Sequence, residues 1–193
     1  MNRPSHVRSF LAASVTSREA IEAITQAIQP LRRFRGVKWV PPHQFHYTLK
    51  FLGDVESTRI PSICAVLDEV CSTHASLDLV LEGAGCFPPR GDVRIVWAGA
   101  TEGASNLEKL ATDLDAGLAR LGLPAESRPF SAHLTIGRVK DPREARGIRE
   151  AVVPLTARFG SQTISEVVLY KSDLQPAGPI YTPLHRGALR APA

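Results

Sequence analysis

The chain is poor in the residues that most often mark a scaffold or a metal centre: among 193 residues there are three Cys, one Met and two Trp, and aromatics make up 6%. Cys64, Cys71 and Cys86 are odd in number and none stands in a Cys-x-x-Cys spacing. A disulfide framework and a zinc knuckle are therefore not suggested, and a reducing cytoplasm is the simplest setting. Cys64 and Cys71, seven apart in a helical pattern, share one face and read as packed core residues rather than nucleophiles. No apolar run approaches the ~18 residues needed to cross a bilayer, and residues 10–15 are short for a secretory core, so they read as a first strand and no membrane is expected. No Gly-x-Gly-x-x-Gly or Walker A segment opens a helix, which weakens a dinucleotide-binding or P-loop reading. Low-complexity sequence is missing too, and only the tail from Arg190 is expected to fray.

What the chain does contain is a duplicated tetrapeptide. His46-Tyr47-Thr48-Leu49 and His133-Leu134-Thr135-Ile136 lie 87 positions apart, each inside an apolar-alternating stretch. Chance alone would supply roughly 0.15 such His-x-Thr-apolar segments in a chain of this composition. A His and a Thr two positions apart on a strand share a face at roughly 6.5 to 7 Å, so each copy sets a proton carrier beside a hydroxyl, and two copies facing each other make a phosphate site. His74-Ala75-Ser76-Leu77 fits a looser pattern but closes a helix-like segment, whereas both true copies follow a lead-in containing Pro and Phe, Pro41-Pro42-His43-Gln44-Phe45 and Arg128-Pro129-Phe130-Ser131-Ala132.

Strand-like and helix-like segments alternate around the two copies. Strands are expected over residues 7–15, 46–52, 77–81, 93–98, 131–136, 155–160, 166–170 and 181–189. Helices are expected over 18–28 behind a Ser17 cap, over 57–71, over 103–121 on a Leu107, Leu110, Leu114, Leu118, Leu121 stripe stopped by Gly122, and over 143–152. The pattern repeats once, which predicts an α+β fold of two lobes within a single domain spanning 1–193.

The motifs and their flanks resemble a known family. Val37-Lys38-Trp39-Val40-Pro41-Pro42 running into His46-Tyr47-Thr48-Leu49-Lys50-Phe51-Leu52-Gly53, and Arg128-Pro129-Phe130 before His133-Leu134-Thr135-Ile136-Gly137-Arg138, are similar to the RNA 2',3'-cyclic phosphodiesterases, formerly called 2'-5' RNA ligases, of the 2H phosphoesterase superfamily. Phe87-Pro88-Pro89-Arg90, Val96-Trp97-Ala98-Gly99, Ser172-Asp173-Leu174 and Gly178-Pro179-Ile180-Tyr181 extend the likeness over nearly the whole chain. Three departures are Tyr47 where an aliphatic is usual, Ala132 where Pro is usual and Gly137 where Ala is common. The resemblance implies two pseudo-symmetric lobes, each a mainly antiparallel sheet with helices, and an active-site groove between them lined by both motifs.

The side chains suit that chemistry. Opening a cyclic phosphodiester needs a base to deprotonate water and an acid to protonate the departing sugar oxygen on the opposite side of phosphorus. Imidazoles, with an ordinary pKa of ~6.5, supply both, while Thr48 and Thr135 donate hydrogen bonds to the non-bridging oxygens. No cofactor or metal is called for, and a His43–His46–His133 metal site is disfavoured because no carboxylate stands close by. The resemblance implies His46 as proton donor, His133 as proton acceptor, a 2'-phosphomonoester product, and 2'-5' ligation as the reverse direction. Arg138 is a candidate phosphate ligand, expected on the same face as Ile136. The net charge of +4 favours anionic ligands mildly, and Arg32, Arg33, Arg35, Lys140, Arg143, Arg146 and Arg149 read either as an RNA-attracting rim or as solvated faces. The expected partner is RNA with 2',3'-cyclic phosphate ends, such as tRNA fragments, or a related nucleotide, with nothing demanding more than a monomer. A small cyclic nucleotide substrate and a non-catalytic RNA-end binding module are the alternatives.

Overall fold

A computed structural model describes residues 5–176 and 178–191. Nine strands and four α-helices alternate: β1 (His6–Ser14), α1 (Arg18–Ile28), β2 (Val37–Trp39), β3 (His46–Glu56), α2 (Ile60–Thr73), β4 (Leu77–Phe87), β5 (Ile95–Ala100), α3 (Ala104–Ala119), β6 (His133–Val139), α4 (Ala145–Val152), β7 (Arg158–Ile164), β8 (Glu166–Gln175) and β9 (Gly178–Ala188). The strands form one antiparallel path, β7-β4-β5-β6-β3-β1-β8-β9, with β2 added on β6.

The two expected lobes are the two halves of this path, and they meet at one residue pair. β3 and β6 are joined only through Tyr47 opposite Leu134. Walking outward from that seam gives β3-β1-β8-β9 on one side and β6-β5-β4-β7 on the other, so each half contributes four strands about the seam. Tyr47 and Leu134 are wholly buried, on the side of the sheet that also carries Leu11 and Ala13 of β1 into the core.

Each helix turns one apolar stripe to that core. In α1 the Ser17 hydroxyl accepts the Ala20 N–H at 3.3 Å, and Ala20, Ile24 and Ile28 are buried at four-residue spacing. α2 buries Ile63, Val66, Leu67, Val70 and Cys71, and α3 buries Leu107, Leu110, Leu114 and Leu118. The helices cross between halves: α1 follows β1 but lies on β7, while α3 follows β5 but lies on β3. The buried Gln162 of β7 reinforces the first crossing, its Oε1 accepting the Thr16 N–H at 2.9 Å. Gly160 (φ +137°) lets α1 come close, for a Cβ there would meet the Ala20 nitrogen at 3.3 Å.

A buried lysine ties the second crossing. Lys50, 3% exposed, is salt-bridged to Asp115 of α3, donates to the Pro124 carbonyl, and has Glu126 at 3.9 Å. Asp115 in turn accepts the Glu126 N–H at 3.2 Å. The strand carrying the first His is thus fastened to the loop leading to the second.

Element bounds differ from expectation mainly in strand length. The strand expected over 77–81 runs to Phe87, because a bulge near Gly83 (φ +70°) lets β4 continue past an apparent break. β2, three residues long and followed by Pro41, was too short to give a periodic signal. Arg190, expected in a frayed tail, is held: its N–H donates to the His74 carbonyl at 2.9 Å and its carbonyl accepts from Ser76. The last two residues of that tail, Pro192 and Ala193, lie outside the described residues.

Tyr47 is the one departure at the seam whose cost can be read directly. Its hydroxyl is buried and has no hydrogen-bond partner among the described residues, and burial pushes its pKa well above the ordinary tyrosine value. Leaving a buried hydroxyl unpaired costs about 1–3 kcal/mol. Tyr47→Phe is therefore expected to leave thermal stability unchanged or to raise it by about 1 kcal/mol in denaturant unfolding; a loss of that size would show that the hydroxyl is satisfied.

Candidate active site

His46 opens β3 and His133 opens β6, and the seam pair sets them in register. In antiparallel strands, one step to either side of Tyr47–Leu134 brings His46 toward Thr135 and Thr48 toward His133. Since side chains alternate and the seam pair points into the core, all four turn to the opposite face, where each is half-buried. Two tetrapeptides far apart in sequence are thereby brought to one groove.

Both imidazoles are oriented by the same local device. His46 Nδ1 lies 2.7 Å from the Gln44 carbonyl oxygen and His133 Nδ1 lies 2.8 Å from that of Ser131, in each case two residues back. A carbonyl can only accept, so Nδ1 carries the hydrogen, and Nε2 is the nitrogen left for proton exchange. The Gln44 side chain donates to the Pro179 carbonyl at 3.0 Å, fixing the first lead-in to β9.

Electrostatics couple the rings. Burial lowers the pKa of His46, with the charges of Arg138 and His133 lowering it further against the Gln44 carbonyl, which raises it. His133 is lowered by burial first and by Arg138, again opposed by its own backbone partner. Arg138 acts on both rings and on Tyr181, so one exposed guanidinium overlooks the groove.

The face on which Arg138 stands corrects the expectation. Strict alternation would put it with Ile136, turned away from His133 and Thr135. In the structure β6 bulges against β5, where Trp97 pairs with Thr135 but Val96 with Gly137, leaving Ile136 as the extra residue. One inserted residue reverses the alternation: Ile136 and Gly137 are both buried and Arg138 comes round to the histidine face. β3 bulges at the equivalent place, with Thr48 opposite Ala12 and Lys50 opposite Leu11, so Leu49 is extra, Lys50 turns inward and Phe51 emerges 60% exposed. Phe51 is thus the counterpart of Arg138 about the seam. Gly137, a departure from the family pattern, sits beneath Trp39 of β2, where a Cβ would come 3.0 Å from the indole.

Aromatic rings that carried no motif signal complete the groove. Phe10 lies 5.2 Å from His46 between ring centroids, and Tyr181 meets His46 edge-on at 5.4 Å. Phe87 meets His133 edge-on at 5.0 Å and also contacts Trp97. Phe87, Trp97 and Tyr181 stand in family-like segments, but only cross-strand register shows which of them reach the histidines.

Several basic residues are engaged elsewhere. Arg143 pairs with Asp141, Arg146 with Glu150, and Arg149 donates to the carbonyls of Pro88, Pro89 and Gly91. Arg138, by contrast, acts on both imidazoles. His74 pairs with Asp113 at 2.9 Å, and the thiols are raised by burial, Cys71 up to about 12. His43 is exposed, and no three His, Cys, Asp or Glu side chains converge among the described residues. No helix of the described residues is long and apolar enough to cross a membrane.

Comparison with known proteins bears on the family and the fold. Residues 18–176 match the model of the 2'-5' RNA ligase superfamily. A curated RNA 2',3'-cyclic phosphodiesterase of Methanothermobacter thermautotrophicus is 35% identical over 179 residues, 91% of this chain and 95% of that protein. Another, from Archaeoglobus fulgidus, is 36% identical over 92% of this chain and 98% of its own length. Among solved structures, TT0787 of Thermus thermophilus superposes with a TM-score of 0.80 at 31% identity, covering 96% of this chain and 100% of that one. Apo LigT of Escherichia coli gives 0.79 at 26% identity, covering 96% and 99%.

The electrostatics can be checked by NMR titration of the imidazole carbons. His46 and His133 are expected to titrate below the ordinary ~6.5, and Arg138→Gln, which removes a positive charge from both, is expected to raise both midpoints. Unmoved midpoints in that variant would separate Arg138 from the rings.

Proposed function

The chain belongs to the 2'-5' RNA ligase superfamily, and we propose that it hydrolyses RNA 2',3'-cyclic phosphate ends to 2'-phosphomonoesters, with His46 as proton donor and His133 as proton acceptor. The observation that carries this reading is the pair of locked imidazoles, each with Nδ1 bonded to the carbonyl two residues back and Nε2 left for the groove. Relatives named RNA 2',3'-cyclic phosphodiesterase, matched over nearly their whole length, support the substrate class.

In this mechanism His133 Nε2 takes a proton from water as its oxygen forms a bond to phosphorus. The P–O3' bond breaks on the opposite side, and His46 Nε2 gives its proton to O3'. Thr48 and Thr135 hold the non-bridging oxygens as their charge grows, and Arg138 neutralises the phosphate. A bound phosphate offsets the repulsion that Arg138 and the second imidazole impose, which favours the protonated state His46 needs to act as acid. The step uses residues of a single chain, consistent with a monomer, and its ligands are RNA ends such as tRNA fragments. With a 5'-hydroxyl in place of water, the same proton transfers in the same direction join a cyclic phosphate to it through a 2'-5' bond.

The test is phosphate-end analysis of a short RNA bearing a 2',3'-cyclic terminus, incubated in chelator. Wild type is expected to yield the 2'-phosphate, with His46→Ala and His133→Ala each slower by about 10²- to 10⁴-fold. Because His46 must be protonated and His133 neutral, kcat/KM should fall on both sides of a maximum that lies below about pH 6.5, as both rings are held below their ordinary value. Undiminished turnover in either variant, or loss of wild-type activity to chelator, would overturn the assignment. A protein that binds such ends without converting them would instead be a binding module, and conversion of small cyclic nucleotides alone would move the substrate class.

A further inference from the structure

The lead-ins to the two histidines are held in different ways. Ahead of His46 the chain makes a single 3-10 turn over Pro42–Gln44, in which the Gln44 N–H donates to the Pro41 carbonyl and the Phe45 N–H to that of Pro42. Phe45 itself is buried, so the carbonyl that locks His46 belongs to a turn closed by its own backbone and pinned to the core. The segment ahead of His133, residues 120–132, lies between α3 and β6 and holds neither helix nor strand. From Pro124 to Ala132 no backbone N–H donates to a backbone carbonyl among the described residues, and Ser131, whose carbonyl locks His133, is exposed.

What ties this loop down is Lys50. Its ammonium donates to the Pro124 carbonyl and is salt-bridged to Asp115, whose carboxylate accepts the Glu126 N–H at 3.2 Å. Strict alternation would put Lys50 on the groove face with Thr48; the bulge at Leu49 turns it inward, where at 3% exposure it is shut off from a substrate. Apolar packing holds the loop less closely, for a cavity of about 200 Å³ opens between residues 50–53 of β3 and residues 123–126. The place of the loop therefore rests on polar contacts that converge on one buried cation.

We propose that Lys50 is a positioning residue for His133: from behind the first motif it fixes the loop whose Ser131 carbonyl orients the second imidazole. Its effect on rate rests on the two-histidine reading above, because His133 must present a bare Nε2 to the attacking water. Without the anchor the Ser131 carbonyl leaves the ring, and a neutral imidazole then exchanges its hydrogen between Nδ1 and Nε2. A ring with its hydrogen on Nε2 accepts no proton there. His46 keeps its lock, since Gln44 stands in a separate turn. Thr48, Thr135 and Arg138 still face the phosphate, so the loss falls on kcat rather than on KM.

The experiment joins nitrogen NMR of the neutral imidazoles to kinetics on the cyclic-ended RNA, for Lys50→Met and for the double variant Lys50→Met with Asp115→Leu. Replacing both partners by apolar residues of similar size leaves no unpaired buried charge, so the double variant keeps the test open where the single one fails to fold. In the wild type both rings are expected to carry hydrogen on Nδ1. In the variants the His133 nitrogens are expected to move toward the values of exchanging tautomers while those of His46 stay, and kcat to fall by about 10- to 100-fold, the loss expected of a misplaced catalytic group. Lys50→Met added to His133→Ala is expected to cost nothing further, because its effect runs through that ring. An unchanged His133 tautomer, an equal disturbance of both rings, or a further loss on His133→Ala overturns the proposal. A wild type that leaves cyclic ends intact overturns the two-histidine reading, while the tautomer of His133 in the variants still decides the role of Lys50.

Discussion

The groove depends on one pairing, Tyr47 with Leu134. It is the one ladder pair between β3 and β6 among the described residues, and it is wholly buried. Two core side chains at the seam commit their neighbours, two on each strand, to the other face, and those neighbours are His46, Thr48, His133 and Thr135. A register slip of one residue would bury the imidazoles and expose Tyr47 and Leu134, so the apolar pair that holds the halves together also protects the site from misregistration. A seam one residue wide lets the strands diverge on either side of it, leaving space between the halves where a longer ladder would have closed them. What keeps so short a seam in place is not the sheet but the crossings over it: α1 on β7 with Gln162, and α3 on β3 with Lys50 and Asp115.

Just beyond the seam, matched bulges at Leu49 and Ile136 give the two halves different tools from one backbone plan. Each reverses the alternation and sends the second residue after it outward, Phe51 on one side and Arg138 on the other. The same fold thus offers an aromatic edge and a guanidinium at equivalent places around the histidines. Such asymmetry is what a displacement at phosphorus requires, since the attacked and departing oxygens lie on opposite sides and the charge to be neutralised lies between them.

Much of this was legible before the structure. The duplicated His-x-Thr pairs announced themselves by recurrence, and α1 follows the expected bounds because Ser17 and the Ala20, Ile24, Ile28 stripe are strong local signals. The antiparallel two-part α+β architecture followed from the repeat and the resemblance. The face of Arg138 was not legible, because nothing local to Ile136-Gly137 marks a bulge; only the register with Val96 and Trp97 reveals it. The continuity of the sheet through a single residue pair was hidden for the same reason. Phe10, Phe87 and Tyr181 come to the imidazoles through cross-strand neighbours far away in sequence. Arg143, Arg146 and Arg149 read either as a rim or as solvated faces, and their partners, Asp141, Glu150 and three carbonyls, are ones that charge counting along a chain cannot identify.

In the proposed reaction the two imidazoles divide the proton transfers, His46 serving the departing O3' and His133 the attacking oxygen. A cyclic substrate with sulfur in place of the bridging 3'-oxygen tests it most directly, since a thiolate leaves without a proton from an acid. Single-turnover rates on the oxygen and sulfur substrates would be compared for His46→Ala and His133→Ala. Sulfur is expected to restore His46→Ala toward the wild-type rate and to do nothing for His133→Ala. Restoration of His133→Ala instead, or of neither variant, would contradict it.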